Sequence, residues 1–152
     1  MFASLLRLLE SPAPMRPPNA KLSVAVLLLE AARQDDHFDA SERAAIEKIL
    51  SGRFHLSGQE CADLIAAAEK HAHNMVQLHG HTDGIAQEMT PRERIDLIEM
   101  LWEVAYADGV LDPEEDHLIR RIGKLIHVED RERVHARQRV LARMKQQDVD
   151  TI

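Results

Sequence analysis

The chain repeats itself after 73 residues, without a gap, and the repeat restricts the fold more than any other feature. Arg33–Glu42 (RQDDHFDASE) returns as Tyr106–Glu115 (YADGVLDPEE). Leu28 aligns with Leu101, Glu30 with Glu103, Ala32 with Ala105, Asp35 with Asp108, Asp39 with Asp112 and Glu42 with Glu115. Beyond the acidic stretch Ile46 meets Ile119 and Ile49 meets Ile122. Each copy reads as a helix, a tight elbow and a second helix. Such a hairpin cannot bury its own apolar face, whereas two of them can bury each other's.

The remaining patterning agrees with an all-α, single-domain helical bundle of about six to seven helices built from two pseudo-repeated hairpins. Aromatic residues are only 3% of the chain, so Leu, Ile, Val and Ala must build the core, a mix that favours helices over a sheet sandwich. No stretch alternates long enough for a strand. Lys21–Gln34 is apolar nearly all round and predicts a buried central helix. Ala40–Ser51 predicts a second helix with Ala44, Ala45, Ile46, Ile49 and Leu50 inward. Ser57 with Glu60, and Thr90 with Glu93 after Pro91, are capping boxes that open two more. Gln77–Met89, with Gly80 and Gly84, reads as irregular, with room for a short helix. Asp112-Pro113-Glu114-Glu115 opens a helix carrying Leu118, Ile119, Ile122, Leu125 and Ile126. The last helix is expected from about Glu129 to Met144.

Residues 1–19 are expected to form a short amphipathic helix and a linker, since four prolines fall within Ser11–Ala20. Residues 20–146 form the domain and 147–152 a tail.

The elbows carry the chemistry. Asp39 and Asp112 suit the N-cap of the second helix, and Glu42 and Glu115 complete the boxes. Asp35 and Asp108 are harder to explain. At 100° per residue, Asp108 falls within the arc of Leu97, Ile98, Leu101, Val104 and Ala105, and Asp35 falls among Val24, Leu28 and Ala32. Each would point inward, at the helix end where an anion is disfavoured by about 0.3–1 kcal/mol. An inward charge needs a partner. Three suit it: backbone amides in an Asx turn, a Lys or Arg, or a divalent cation. Glu99–Asp116 holds seven acids and no Lys or Arg, and oxygen ligands suit a hard ion such as Ca²⁺ or Mg²⁺. On the cation reading the candidate ligands are Asp35, Asp39, Glu42, Asp108, Asp112 and Glu115. Their spacing is not that of an EF-hand.

A helix ending E-x-A-x-A-D-G-x-L-D-x-x-E, followed by an I-x-x-I helix, resembles the TerB-like family, named for bacterial tellurite-resistance proteins. The residues are Glu103, Ala105, Ala107, Asp108, Gly109, Leu111, Asp112, Glu115, Ile119 and Ile122. The resemblance covers about Ala20–Met144. Its first copy has Asp36 where the second has Gly109. It implies an all-helical fold of two related halves and a role in stress and metal or oxyanion resistance, without established catalysis. It also implies acidic positions suspected of metal binding, here Asp35, Asp39, Asp108 and Asp112. The Pro-rich leader and the histidines of the middle segment lie outside the pattern.

Other constellations are weaker. His71 and His73 stand two apart, a spacing that faces opposite ways on a helix. His79, His81 and Asp83, in an expected loop, could converge on an ion, though surface histidines are the simpler reading. No serine motif, phosphate loop or HExxH occurs, so the expectation is a non-enzyme. A single cysteine, Cys61, cannot form an internal disulfide, which makes the cytoplasm the expected compartment. No apolar run reaches the ~18–20 residues of a membrane span. The net charge of −7 and the lack of aromatic platforms argue against nucleic acid. His117–Lys145 is nevertheless basic, with nine Lys or Arg against three acids. That basic helix offers a surface to an acidic protein, an anionic lipid surface or the chain's own acids. The leader, with Phe2, Leu5, Leu6, Leu8 and Leu9, offers another. A homodimer stays open.

Overall fold

A computed structural model of the chain describes residues 20–32, 40–71, 75–107, 111 and 113–150, with the backbone alone at residues 20, 75–79 and 148–150. The described residues form seven helices and no strand: α1 Ala20–Ala32, α2 Ala40–Phe54, α3 Gly58–His71, α4 Met75–Glu88, α5 Pro91–Ala105, α6 Pro113–Leu125 and α7 Asp130–Asp150. The leader, its linker and both elbow centres lie outside the described residues.

The helix α1 is the hub. Leu22 through Leu29 are buried without a break, and the helix packs against α2, α3, α4, α5 and α6. An apolar helix with neighbours on every side loses nothing by lacking a polar face. Each fully buried Leu or Val there contributes roughly 1.5–3 kcal/mol relative to exposure. The second axis is α5, packed on α1, α2, α6 and α7. Leu97, Ile98, Leu101, Val104 and Ala105 are all buried, as their shared arc predicts.

Helix boundaries follow local chemistry. The Thr90 hydroxyl accepts from the Glu93 amide at 3.2 Å and the Glu93 carboxylate accepts from the Thr90 amide at 2.9 Å, with Pro91 in the first turn. Ser57 and Glu60 form the same reciprocal pair. Those hydrogen bonds from the Ser57 backbone and side chain hold the Glu60 carboxyl below its ordinary pKa.

The second helix of each hairpin also ends in the same way. His55 (φ 54°) and His127 (φ 63°) adopt the left-handed conformation. The following amides, Leu56 and Val128, donate to the carbonyls of Ser51 and Gly123 at 3.2 and 2.8 Å. This is a Schellman ending with histidine where glycine is usual.

Three expectations are corrected. Residues 75–88 are a full helix rather than an irregular stretch. Two glycines cost about 1 kcal/mol each in a helix interior, but Gly80, His81, Thr82 and Ile85 are buried, and α4 packs on α1 and α6. Tertiary burial outweighs propensity. The last helix continues past Met144 to Asp150. Ala44, expected inward, is exposed, while Ile46 and Leu50 supply the buried contacts of α2.

Candidate functional site

Helix ends fix where the acidic elbows must lie. Helix α1 stops at Ala32 and α5 at Ala105, 73 residues later; α2 starts at Ala40 and α6 at Pro113, again 73 later. The two elbows therefore have equal length, and the sequence places Asp at the third and seventh position of each. Asp35, Asp39, Asp108 and Asp112 all lie outside the described residues. The helical arc that would turn Asp108 inward ends three residues before it, at Ala105. There Tyr106 closes the helix, its amide donating to the Trp102 carbonyl at 3.0 Å, and the Ala107 amide donates to Val104 at 3.2 Å. Glu42 and Glu115 are described. Both are half-buried in the first turns of α2 and α6, where a carboxylate is favoured by the helix N-terminus. Among the described residues no three His, Cys, Asp or Glu side chains gather closely enough to hold a metal ion.

The basic helix meets the acidic one. Glu99 is only 6% exposed, and its Oε1 accepts from Arg143 Nη1 at 2.7 Å with Arg139 Nε at 3.5 Å. Arg143 Nη2 reaches Glu103 at 2.9 Å, and Arg53 from α2 approaches the same carboxylate at 3.4 Å. Partial burial works against the Arg143 charge. Hydrogen bonds and attraction from Glu99 and Glu103 outweigh it and raise the pKa. Beside this cluster Arg137 lies over the Trp102 and Tyr106 rings at 5.6 and 5.8 Å and donates from Nε to the Tyr106 hydroxyl at 2.7 Å. Trp102 Nε1 donates to the Arg133 carbonyl at 3.2 Å. Thus α7 spends several cations on α5. Between α2, α5 and α7 runs a groove of about 490 Å³, lined by Lys48, Arg53, Glu103, Arg143, Ile49 and Met144 among others.

A second polar cluster was not legible as such. His81, expected on the surface or in a loop, is 4% exposed on α4. Its Nδ1 stands 2.8 Å from Ser23 Oγ of α1, and its Nε2 stands 3.4 Å from Nδ1 of His71, the last residue of α3. The two rings are 5.3 Å apart in an edge-on arrangement. Burial, and next the charge of His71, push the His81 pKa below its ordinary value. His81 and Asp83 do not converge. They stand two apart on a helix, with His81 buried and Asp83 exposed. His73, and the side chain of His79, lie outside the described residues. The only sequence signal for the cluster was histidine density.

Cys61 is buried on α3, its Sγ 3.6 Å from the Glu47 carbonyl, and behaves as a small core residue. No described helix is long and apolar enough to cross a membrane.

Comparison with known proteins gives one family. The family described as tellurite resistance protein TerB matches residues 21–138, from the second residue of α1 into α7. No curated protein and no solved structure matches significantly. The family match spans most of the chain and contains both hairpins, and the chain belongs to the TerB family.

Proposed function

We propose that the protein is a non-enzymatic TerB module, linked to tellurite or metal resistance, that binds a divalent cation such as Ca²⁺ or Mg²⁺ through its acidic elbows. The observation that carries this reading is the register. Two elbows of equal length, between equivalent helix ends, bring aspartates at the same two offsets: Asp35 and Asp39, Asp108 and Asp112. Hydrogen-bonded arginines narrow the ligand set further. Glu99 and Glu103 are held by Arg143, Arg139 and Arg53, so the acids left for an ion are those at or after the elbow. Capping accounts for Asp39, Glu42, Asp112 and Glu115 but not for Asp35 and Asp108, which is why those two decide the matter.

The test is thermal melting in rising Ca²⁺ or Mg²⁺. An ion that binds only the folded chain raises stability by about 2.7 kcal/mol at a hundred times its Kd. The wild type should shift, and Asp35→Asn and Asp108→Asn should lose most of the shift. No shift at millimolar ion, or an equal shift in both variants, sinks the reading.

A second reading, an interaction scaffold, is favoured by a different observation. Val134 and Leu141 are 40% and 38% exposed, seven residues apart on one face of α7. With Arg139 and Arg143 engaged by α5, that apolar face is a better candidate than the basic charge for meeting a protein partner. Under this reading the acids serve only as caps, and ion-independent melting is its expected result.

A further inference from the structure

We propose that His71 and His81 form the protein half of an open site for a transition-metal ion of the Zn²⁺, Ni²⁺, Co²⁺ or Cu²⁺ class, oriented by Ser23 and separate from the acidic elbows. The separation of the ring nitrogens carries the inference. His71 Nδ1 and His81 Nε2 face each other at 3.4 Å. That is long for a hydrogen bond between nitrogens, since N–H donors in proteins cluster near 2.9–3.0 Å from their acceptors. It is the spacing of two ligands on one ion. With metal–nitrogen bonds of about 2.0–2.1 Å and a tetrahedral angle, two imidazole nitrogens stand about 3.3–3.4 Å apart.

The surroundings favour the same reading. With its proton on Nδ1, His81 donates to Ser23 Oγ at 2.8 Å, which leaves Nε2 bare and aimed at His71. A hydroxyl behind the distal nitrogen is the outer support that ligating histidines commonly have, fixing both tautomer and ring orientation. Burial keeps His81 neutral at neutral pH, so it sheds no proton to accept an ion. His71 ends α3 and is half-buried, so the side of the pair away from Ser23 opens outward. Two imidazoles leave two positions of a tetrahedral ion for water or an exogenous ligand. Nitrogen donors select borderline metals over Ca²⁺ and Mg²⁺, so the elbows and this pair would draw on different ions.

Cobalt absorption tests it on the untagged full chain, with Zn²⁺ competition. Uptake of Co²⁺ should give the visible bands of low-coordinate nitrogen ligation, and Zn²⁺ should abolish them. His71→Ala should weaken binding at least tenfold while its circular dichroism stays that of the wild type, because His71 is only half-buried. Ser23→Ala should weaken it by about tenfold. Asp108→Asn and the surface control His117→Ala should leave it unchanged. Absence of the bands, or wild-type affinity in His71→Ala, would show the pair to be a hydrogen bond and overturn the site. Loss in Asp108→Asn or His117→Ala that equals the loss in His71→Ala would move the ion elsewhere and overturn it as well.

Discussion

Glu99 and His81 are buried to nearly the same degree, 6% and 4% exposed, and the protein keeps them by opposite means. Glu99 sits on α5 with two arginines of α7 around it. His81 sits on α4 with a hydroxyl and a second imidazole. A carboxylate near neutral pH holds its charge unless burial costs several kcal/mol, so it must import cations. An imidazole gives up its proton near neutrality and can be buried uncharged, with neutral partners alone. One half of the bundle therefore relies on ion pairs, and the other on a hydrogen-bonded chain whose state follows pH.

The largest effect should come from the aromatic floor of the ion-paired half. Trp102 is fully buried, donates to the Arg133 carbonyl and lies under Arg137. Trp102→Ala should cost about 3–5 kcal/mol, read by urea denaturation. Next, Arg143→Met leaves Glu99 with only the longer Arg139 contact. Arg143 is nearly half exposed, so solvent screening limits the loss to about 1–2 kcal/mol. If that variant is neutral, Glu99 is solvated well enough that the contrast with His81 fails.

The caps come next. Thr90→Ala should cost about 1 kcal/mol through its observed box, and Asp112→Ala the same if Asp112 caps α6 as the register implies. A neutral Asp112→Ala would separate the elbow from the ordinary helix start. In the opposite direction, His127→Gly should stabilise by about 0.5–1 kcal/mol, because a left-handed φ of 63° suits glycine better than histidine.

The smallest effect is confined to a pH window. The folded pKa of His81 lies below its unfolded value, so between the two the unfolded chain binds more protons. Stability is therefore full above about pH 6.5 and falls as pH drops toward the folded pKa. His81→Gln should flatten that limb in melts across pH 5–7, whereas Arg143→Met should leave its shape unchanged.

The difference between the halves also separates what local pattern reveals from what it hides. The apolar arc of α5, the boxes at Ser57 and Thr90, and the proline that opens α6 were legible because each lies within one or two helical turns. Helix α4 was misread because Gly80 and Gly84 weaken it locally, while its stability comes from packing on α1 and α6. The partners of Glu99 lie forty or more residues away on α7, and Ser23 lies 58 residues from His81. Neither pairing leaves a trace in spacing.

Periodicity, caps and a 73-residue repeat determine seven-helix chemistry of this kind from the chain alone, since hydrogen bonding and amphipathicity act over a few residues. Which buried polar groups meet which partners is decided by the tertiary structure. Desolvation makes each such group's state depend on atoms brought within about 3 Å from another helix, and only packing sets those distances.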